Sequence, residues 1–291
     1  MQTEIFHLHA LSALHVGTGQ AVGTVDLPIA RAKATNLPLV PGSALKGVLR
    51  DEFAGHDDDQ TSLFGPERIG DGESGHAGAL AFGDAHLLLL PVRSLAGIMA
   101  WATCPFVLSR YAADRRRAGA APAPAVPEPA AGKVALAGKQ QLSLTGNKVV
   151  FEDLDLDAEP GKADAWAAFL ANVLFSGDER PDFEQHFAIL SDADFGFLAD
   201  TATEVRARIR IDDEKGTVAK GALWYEENLP AEAVLWGVLG IGPGRGKQGL
   251  SAAQVRERFR TTLPTEPLLQ IGGKATVGRG LVRFVLEGAA A

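Results

Sequence analysis

A glycine-rich stretch near the end of the chain combines backbone freedom with positive charge. It reads Gly272-Gly273-Lys274-Ala275-Thr276-Val277-Gly278-Arg279-Gly280. Glycine can adopt positive φ and approach a ligand closely, and consecutive N–H groups in such a loop can form a nest for an anion. An arginine can donate two parallel hydrogen bonds to one phosphate. Because apolar runs flank the stretch, it predicts a strand, a phosphate-binding loop and a strand; an ordinary turn between two edge strands is the alternative.

Charge is unevenly distributed along the chain. The net charge is −8, which argues weakly against nucleic acid as a partner, but residues 245–283 contain eight basic and two acidic residues. This region therefore carries +6 and the remainder of the chain −14. A basic region on an acidic body can still attract phosphates, since exposed charges are screened within about 8–10 Å. The alternative is a basic helix face that pairs with acids elsewhere.

A second basic cluster lies on a predicted helix over residues 41–53, capped by Gly42 or Ser43. Its buried stripe is predicted at Leu45, Leu49 and Phe53, which are spaced four residues apart. Ser43, Lys46 and Arg50 lie on the opposite side, and the two cations repel each other unless an anion lies between them.

The motifs of several common functions are absent. Gly42 to Gly47 and Gly246-Lys247 both fail the Walker A pattern, because Val48 and Gln248 stand where it requires other residues. The single cysteine, Cys104, cannot build a Cys-based zinc site or an internal disulfide, and we therefore expect a cytosolic protein. We expect no secretory signal and no membrane span, because no apolar run approaches about 20 residues.

Hydrophobic periodicity predicts an α+β fold, a sheet with helices on one face. In the first strand Phe6 and Leu8 alternate with His7 and His9, which we expect to face solvent rather than to bind a metal. Residues 54–78 are acidic and glycine-rich and are predicted to be an exposed insertion; the Ala/Pro-rich residues 118–132 are predicted to be an extended, mobile one. Strands are predicted near residues 4–14, 79–92, 142–145, 149–155, 204–212, 217–226 and 234–241, and helices near 105–117, 166–175 and 251–261.

Several motifs together resemble the RAMP superfamily of CRISPR-associated proteins. Besides the C-terminal G-G-K-x-T-x-G-R-G loop, they are His15-Val16-Gly17-Thr18-Gly19, the segment from Leu39 to Arg50, Leu63-Phe64-Gly65, Leu80 to Ala85, and Pro91 to Gly97 with Trp101 to Pro105. Within that superfamily the chain is similar to the repeating backbone subunit of type III-B (Cmr) effector complexes. The resemblance spans nearly the whole of residues 1–291, which implies a single domain, and the Ala/Pro insertion departs from it.

The resemblance implies a ferredoxin-like (RRM-like) palm with a protruding β-hairpin, the thumb, expected within residues 212–235. It also implies copies of the chain stacked along a CRISPR guide RNA beside other Cmr subunits, with the thumb displacing guide–target pairs at regular intervals. Leu223, Trp224 or Tyr225 would then pack against the disrupted bases, since stacking on an aromatic side chain contributes about 1–3 kcal/mol per base. Packing at the base of the hairpin is an equal alternative for Trp224.

The same resemblance implies cleavage of complementary target RNA by an aspartate in the first loop, and Asp26 is the matching residue. It is the only acid between Glu4 and Asp51. A lone carboxylate in a glycine-rich loop suits a divalent cation, expected to be Mg²⁺, that is held mostly by RNA oxygens while a neighbouring 2′-hydroxyl attacks. The alternative is that Asp26 only caps a turn. His15, Glu226 and Glu227 are candidates for supporting roles.

Guide binding is expected at Ser43, Lys46, Arg50, Lys274, Thr276 and Arg279. Because guide sequences vary, the contacts should be to phosphates and 2′-hydroxyls, with a steep dependence of affinity on salt. Two other functions stay open: a structural guide scaffold in which Asp26 is inert, and an endonuclease that processes guide precursors through histidine-centred acid–base chemistry.

Overall fold

The computed structural model describes residues 1–19, 25–66, 75–212, 214–245 and 249–287. The helices are α1 (Gly42–Glu52), α2 (Asp57–Phe64), α3 (Pro105–Arg117), α4 (Asp164–Leu174), α5 (Glu179–His186), α6 (Asp192–Thr201) and α7 (Ala252–Thr262). The strands are β1 (Gln2–Ala10), β2 (Leu39–Val40), β3 (Leu80–Phe82), β4 (Ala85–Arg93), β5 (Met99–Thr103), β6 (Lys133–Leu136), β7 (Lys148–Phe151), β8 (Leu154–Pro160), β9 (Phe187–Leu190), β10 (Glu204–Asp212), β11 (Thr217–Asn228), β12 (Val234–Ile241), β13 (Leu268–Gln270) and β14 (Leu281–Leu286).

Twelve strands of the described chain form one mixed sheet in the order β13-β14-β1-β12-β4-β5-β9-β6-β8-β7, with β2 paired to β4 and β3 to β12. Strand β1 is the third from one edge and antiparallel to both neighbours, while the pairs β5–β9 and β6–β8 are parallel. The α+β class predicted from the sequence is confirmed.

Helices cover both faces of the sheet, so the expectation of helices on one face is wrong. On one face Phe6 stacks on Phe284 and meets Phe82, which contacts Phe259 of α7. On the other face His7 is fully buried, and its Nε2 lies 2.8 Å from the hydroxyl of Tyr111 in α3.

The prediction that His7 and His9 face solvent is therefore also wrong. His9 is buried as well, and its Nε2 lies 2.8 Å from Glu232 Oε2. Burial, together with the nearby Arg115 charge, lowers the pKa of His7 from 6.5 to about 3.

Helix α1 confirms the predicted core stripe, since Leu45, Leu49 and Phe53 are fully buried. Its N-cap is Pro41, which offers no side-chain cap, so the predicted capping by Ser43 or Gly42 is wrong. The helix begins where the Gly42 N–H donates to Asp84 Oδ1 at 2.9 Å.

Both predicted insertions pack against the body more closely than expected. Within residues 54–78, helix α2 buries Leu63 and Phe64, and Phe64 meets Phe53 edge-on. The Ala/Pro segment 118–132 is extended, as predicted, but Trp166 Nε1 donates to the Ala125 carbonyl at 2.9 Å, which fixes the segment against α4. The predicted strand at 142–145 does not form, and Leu144 makes only an isolated bridge.

Strands β10 and β11 form a separate two-stranded hairpin, which we call the hairpin. It starts at Glu204 and ends at Asn228, so the predicted range 212–235 begins too late and runs into β12. The predicted range therefore leaves β10 outside the hairpin, except for its last residue, Asp212. No helix of the described residues is long and apolar enough to cross a membrane.

Candidate nucleic-acid interface

Three segments that are distant in sequence meet at the base of the hairpin. They are residues 11–19 and 25–31 (the described part of the first loop), the end of β11, and residues 271–280 (the C-terminal loop). Leu14 pairs with Leu229 just after β11. The Gly273 N–H donates to the His15 carbonyl and the Gly280 N–H to the Ala13 carbonyl, both at 3.0 Å. The first loop is therefore held between the hairpin and the C-terminal loop.

Asp26 lies at this junction with its side chain exposed. Its Oδ2 accepts a hydrogen bond from the backbone N–H of Tyr225 at 2.7 Å. The next residue, Leu27, continues the attachment, because its N–H donates to the Tyr225 carbonyl at 3.1 Å. The carboxylate is thus fixed to the hairpin by one oxygen, and the other oxygen accepts no hydrogen bond from the described residues.

His15 is buried, with one ring nitrogen engaged and the other open. Nδ1 lies 2.7 Å from the Glu227 carbonyl oxygen, so it must carry the proton and donate. In the neutral ring Nε2 then has a free lone pair. A Cβ placed on Gly17 would lie only 2.8 Å from Nε2, which means that glycine at this position keeps the nitrogen accessible.

Glu226 is buried and engaged by three partners. Lys274 Nζ lies 2.9 Å and Trp224 Nε1 2.7 Å from its Oε1, and Arg208 Nε lies 3.6 Å from its Oε2. Burial acts to raise the pKa of Glu226, but the hydrogen bonds from Lys274 and Trp224 and the charge of Arg208 outweigh it, so the pKa lies below its usual value. Glu226 is therefore a charged anchor for Lys274, and it brings the C-terminal loop beside the attachment point of Asp26.

Glu227 links the first loop to the hairpin through its side chain. Its Oε2 accepts from the Ile29 N–H at 3.1 Å, and its Oε1 accepts from Arg31 Nη2 at 2.6 Å and Thr203 Oγ1 at 3.0 Å. Arg31 also donates to the Ala199 carbonyl at the end of α6. The sequence analysis missed Arg31 and Thr203, and no local pattern marks them, because their partners lie more than twenty residues away.

The predicted guide-binding residues fall into two groups. Ser43 is exposed, and it lines an open groove of about 670 Å³ with Lys46. Arg50 Nη1 donates to the Gly65 carbonyl at 2.9 Å, so the chain itself already engages this guanidinium. In the second group Thr276 is exposed and Arg279 half-buried, while Lys274 is engaged by Glu226.

The region of charge +6 does not form a continuous basic surface in the described residues. On α7, Arg256 and Arg260 pair with the buried Glu4, and Arg258 pairs with Asp59. Arg283 lies within 3.6 Å of Glu179 and Glu266. The alternative reading, a basic helix face that pairs with distant acids, is the correct one for α7. Lys247 lies outside the described residues.

Trp224 lies on the opposite face of the hairpin from Leu223 and Tyr225. Cross-strand pairing puts Ala207 opposite Tyr225, Ile209 opposite Leu223 and Arg208 opposite Trp224. Successive residues of a strand face opposite sides. Leu223 and Tyr225 therefore belong to an exposed apolar face, completed by Val205, Ile209, Ile211 and Val218. Trp224 lies on the other face, where Lys274 Nζ sits 5.8 Å from its ring centre.

Among the described residues no group of three His, Cys, Asp or Glu side chains is placed to hold a metal ion. Glu226 and Glu227 are already neutralised by Lys274 and Arg31. A divalent cation here could take one oxygen from Asp26 and would need the rest of its ligands from water or a bound phosphate.

The fold and this junction define an α+β protein whose polar site is assembled at the base of a hairpin. Its sequence matches the model of the RAMP superfamily over residues 7–283. It is 32% identical over 296 residues to the CRISPR system Cmr endoribonuclease Cmr4 of Pyrococcus furiosus, with 99% of this chain and 96% of that protein aligned. The chain belongs to the RAMP superfamily.

Solved structures agree with this assignment. The fold is similar to the crystal structure of oligomeric Cmr4 from Pyrococcus furiosus, with a TM-score of 0.76, 25% identity and full coverage of both chains. It also resembles a chain of the type III-B Cmr-beta complex bound to cognate target RNA, with a TM-score of 0.74 and 20% identity, over 98% of this chain and 97% of that one. The latter likeness extends to the fold alone.

Proposed function

We propose that this chain is a CRISPR guide-RNA-binding backbone subunit of a type III-B effector complex and that it cleaves complementary target RNA beside Asp26. The similarity to a Cmr endoribonuclease over nearly the full length of both proteins supports the class of activity. The observation that carries the site is the exposed carboxylate of Asp26, fixed to the hairpin by the Tyr225 N–H at 2.7 Å. Repeated copies along a guide would place one such carboxylate at each repeat.

The chemistry follows from the groups at the junction. A 2′-hydroxyl of the target would lose its proton and attack the adjacent phosphorus; the bond from that phosphorus to the 5′-oxygen would break, and the 5′-oxygen would leave with a proton from solvent, which gives a 2′,3′-cyclic phosphate and a 5′-hydroxyl. His15 Nε2 would take up the first proton, since its Nδ1 is held by the Glu227 carbonyl. Asp26 would orient the reacting phosphate. Asp26, together with RNA oxygens, would hold a divalent cation, taken as Mg²⁺, which would supply stabilisation of the developing negative charge.

Glu226 and Glu227 serve as positioning residues in this proposal. Both are buried, and both are held by cations of the chain, Lys274 and Arg31 respectively. Neither carboxylate has an oxygen without a partner in the described chain. Instead they fix the C-terminal loop and the first loop to the same end of the hairpin.

Guide binding would fall to Ser43, Lys46 and Arg50 in one group and to Lys274, Thr276 and Arg279 in the other. The contacts would be to phosphates and 2′-hydroxyls, as a guide of any sequence requires. The hairpin would act as the thumb, with Leu223 and Tyr225 on the apolar face toward displaced bases and Trp224 left to anchor Glu226. Because cation–phosphate contacts release counterions, guide affinity should fall steeply between low and moderate salt.

One experiment separates this proposal from a structural scaffold and from a guide-precursor nuclease. The complex is assembled on a guide with wild-type or Asp26→Ala subunits, and complementary RNA and Mg²⁺ are added. We expect regularly spaced cuts from the wild type and none from the variant. Spaced cuts from the variant would refute the role of Asp26. Binding without cuts by the wild type would favour the scaffold, and cleavage of free precursor by the subunit alone would favour the precursor nuclease.

A further inference from the structure

A polar cavity lies between helix α5 and the turn that joins β4 to β5. It has a volume of about 350 Å³ and is lined by residues 97–99 of the turn, by Trp101 and Gln141, and by Asp182 and His186 of α5. We call it the α5 cavity. Its volume falls in the range of small-molecule sites, about 300–1,000 Å³. None of its lining residues belongs to the junction at the base of the hairpin, so the proposed RNA chemistry does not use it.

His186 offers the α5 cavity an open acceptor. Its Nδ1 lies 2.8 Å from the Asp182 carbonyl oxygen and 3.3 Å from Asp182 Oδ1, so Nδ1 carries the proton and donates. In the neutral ring Nε2 then keeps a lone pair, and no described residue donates to it. A Cβ on Gly97 would lie 3.1 Å from Nε2 and 3.0 Å from the Gln141 carbonyl oxygen. Glycine at this position therefore leaves room for a ligand atom beside Nε2.

The other polar side chains of the α5 cavity also offer acceptors. Asp182 is 64% exposed, and its Oδ2 accepts no hydrogen bond from the described residues. Gln141 Nε2 donates to Gln185 Oε1 at 2.6 Å, which leaves the Oε1 of Gln141 open. Trp101 Nε1 is engaged as well, since it donates to the Glu232 carbonyl at 3.2 Å. The lining side chains thus present three open acceptors, and each of their donor nitrogens already has a partner.

The charge of the α5 cavity points in the same direction. The described lining includes one carboxylate and neither a lysine nor an arginine. The Asp182 carboxylate forms no ion pair with a lysine or arginine of the described chain, and its neighbour His186 is its one printed partner. A ligand that complements these groups must donate N–H hydrogen bonds and carry positive charge. A phosphate is an anionic acceptor, so the α5 cavity does not suit the RNA backbone.

Apolar groups complete the wall of the α5 cavity. Ile98 is 85% exposed and has a φ of +70°, and the Met99 N–H donates to the Gly97 carbonyl at 2.8 Å around it. A β-branched residue at positive φ is an outlier, and such strain is characteristic of ligand-binding segments. Ile98 and Met99 together form a wall against which a short alkyl chain can pack. The indole of Trp101 attracts a cation.

We propose that the α5 cavity binds a protonated nitrogen group on an apolar stem, namely an alkylguanidinium or alkylammonium. Its N–H groups donate to His186 Nε2, the Asp182 carboxylate and Gln141 Oε1. Its stem packs against Ile98 and Met99. Two sources supply this chemistry: an arginine or lysine side chain of another protein, and a free polyamine.

The test uses the full chain and three small probes of matched shape. They are N-butylguanidinium, N-butylammonium and the neutral N-butylurea, which resembles the guanidinium in shape and N–H groups but lacks its charge. Binding is followed by NMR through the shifts of the Trp101 indole N–H and the His186 ring signals, which also locates the site. Spermidine and an end-blocked Gly-Arg-Gly peptide are then compared, in order to separate the two sources.

Three variants accompany the probes. Asp182→Asn removes the carboxylate charge from an exposed side chain. Asp178→Asn makes the same change at the N-cap of the same helix, outside the lining, and is the matched control. His186→Asn keeps an amide nitrogen that can donate to the Asp182 carbonyl but has no acceptor in the place of Nε2.

We expect both butyl cations to bind the wild type, and N-butylurea to bind at least about tenfold more weakly, because hydrogen bonds to charged groups are the stronger ones. Asp182→Asn and His186→Asn should each weaken binding of N-butylguanidinium at least about tenfold. Asp178→Asn should bind as the wild type does. Tighter binding of the peptide than of spermidine would assign the site to a protein side chain, and the reverse order would assign it to a free polyamine.

Four results would overturn the inference. They are equal affinities for N-butylurea and N-butylguanidinium, wild-type affinity in Asp182→Asn, an equal loss in the Asp178→Asn control, and binding that shifts neither the Trp101 nor the His186 signals. The urea midpoint of each variant is measured in parallel. Because Asp182 is exposed, Asp182→Asn should unfold at the wild-type midpoint, so it decides the outcome even where His186→Asn is unstable.

Discussion

Replacing Glu227 tests whether the hairpin really fixes the first loop. The Glu227 side chain is 9% exposed and that of Arg31 is 16% exposed, so their 2.6 Å ion pair is largely removed from water. Breaking a buried pair by deleting one partner costs about 3–5 kcal/mol. We expect about 3 kcal/mol for Glu227→Ala, the lower end of this range, because Arg31 keeps its contacts with Asn36, Ala199 and Asp200.

Glu227→Gln should cost about half as much, because one carbonyl oxygen remains to accept from Arg31 or Ile29 while the charge is lost. The assay is urea unfolding followed by tryptophan fluorescence, together with hydrogen exchange of residues 25–31. Exchange there should quicken in Glu227→Ala, since the Ile29 N–H loses its acceptor, and less in Glu227→Gln, whose carbonyl oxygen can still accept from it. Asp157→Ala is the control: its pair with Lys148 lies on the surface, so the urea midpoint should not move.

A loss below about 1 kcal/mol for Glu227→Ala, with unchanged exchange in residues 25–31, would refute this reasoning. It would mean that the first loop is held sufficiently by its other hydrogen bonds, to Tyr225, Leu229 and the C-terminal loop. The fixed position of Asp26 would then have to be explained without the buried ion pair.

Three further predictions concern stability. Ile98→Gly should stabilise the monomer by about 0.5–2 kcal/mol in urea unfolding, because relief of backbone strain exceeds the entropic cost of glycine; any destabilisation would contradict the strain at φ +70°. Gly272→Ala should lower the free energy of unfolding clearly more than its control, Gly278→Ala. Both glycines have positive φ, but only at Gly272 would a Cβ meet the His15 carbonyl oxygen, at 2.3 Å. Equal losses of stability in the two variants would show that this contact is unimportant. The pKa of His7 is about 3 in the folded protein and 6.5 in the unfolded one, so at a pH between these two values unfolding is accompanied by uptake of a proton. Lowering the pH through this range should therefore reduce the free energy of unfolding by up to about 1.4 kcal/mol per pH unit. His7→Gln should reduce this slope between pH 6 and 4, and an unchanged slope would show that His7 titrates normally.

Local patterns were sufficient for most of the elements. Helix α3 and strands β10 and β12 have the predicted bounds, and α1 and α7 differ from them by about one residue. These segments carry strong periodicity together with start or stop signals such as Pro105. Alternation could not reveal that β1 lies between two helical layers, and for that reason His7 and His9 are buried against expectation. Whether a polar face is covered depends on elements far away in the sequence.

The candidate site also combines residues that the sequence could indicate with long-range contacts that it could not. Asp26 came from a family resemblance, and its attachment to Tyr225 spans 199 residues. The sequence shows a net charge of +6 for residues 245–283, but it does not show that Glu4 pairs with Arg256 and Arg260 in the fold. It also could not show that Lys274 engages Glu226. Such long-range pairs are set by topology, and one sequence carries no local trace of them.

The most direct test of the account is the single-turnover rate of target cleavage by complexes assembled with Asp26→Asn. Asparagine keeps a side-chain oxygen that can accept from the Tyr225 N–H, so the loop anchor survives while the charge is lost. We expect a rate at least about 100-fold lower, the scale of losing one group that stabilises transition-state charge, with guide affinity unchanged. A rate equal to that of the wild type at equal guide occupancy would contradict the central claim that Asp26 is the cleavage site.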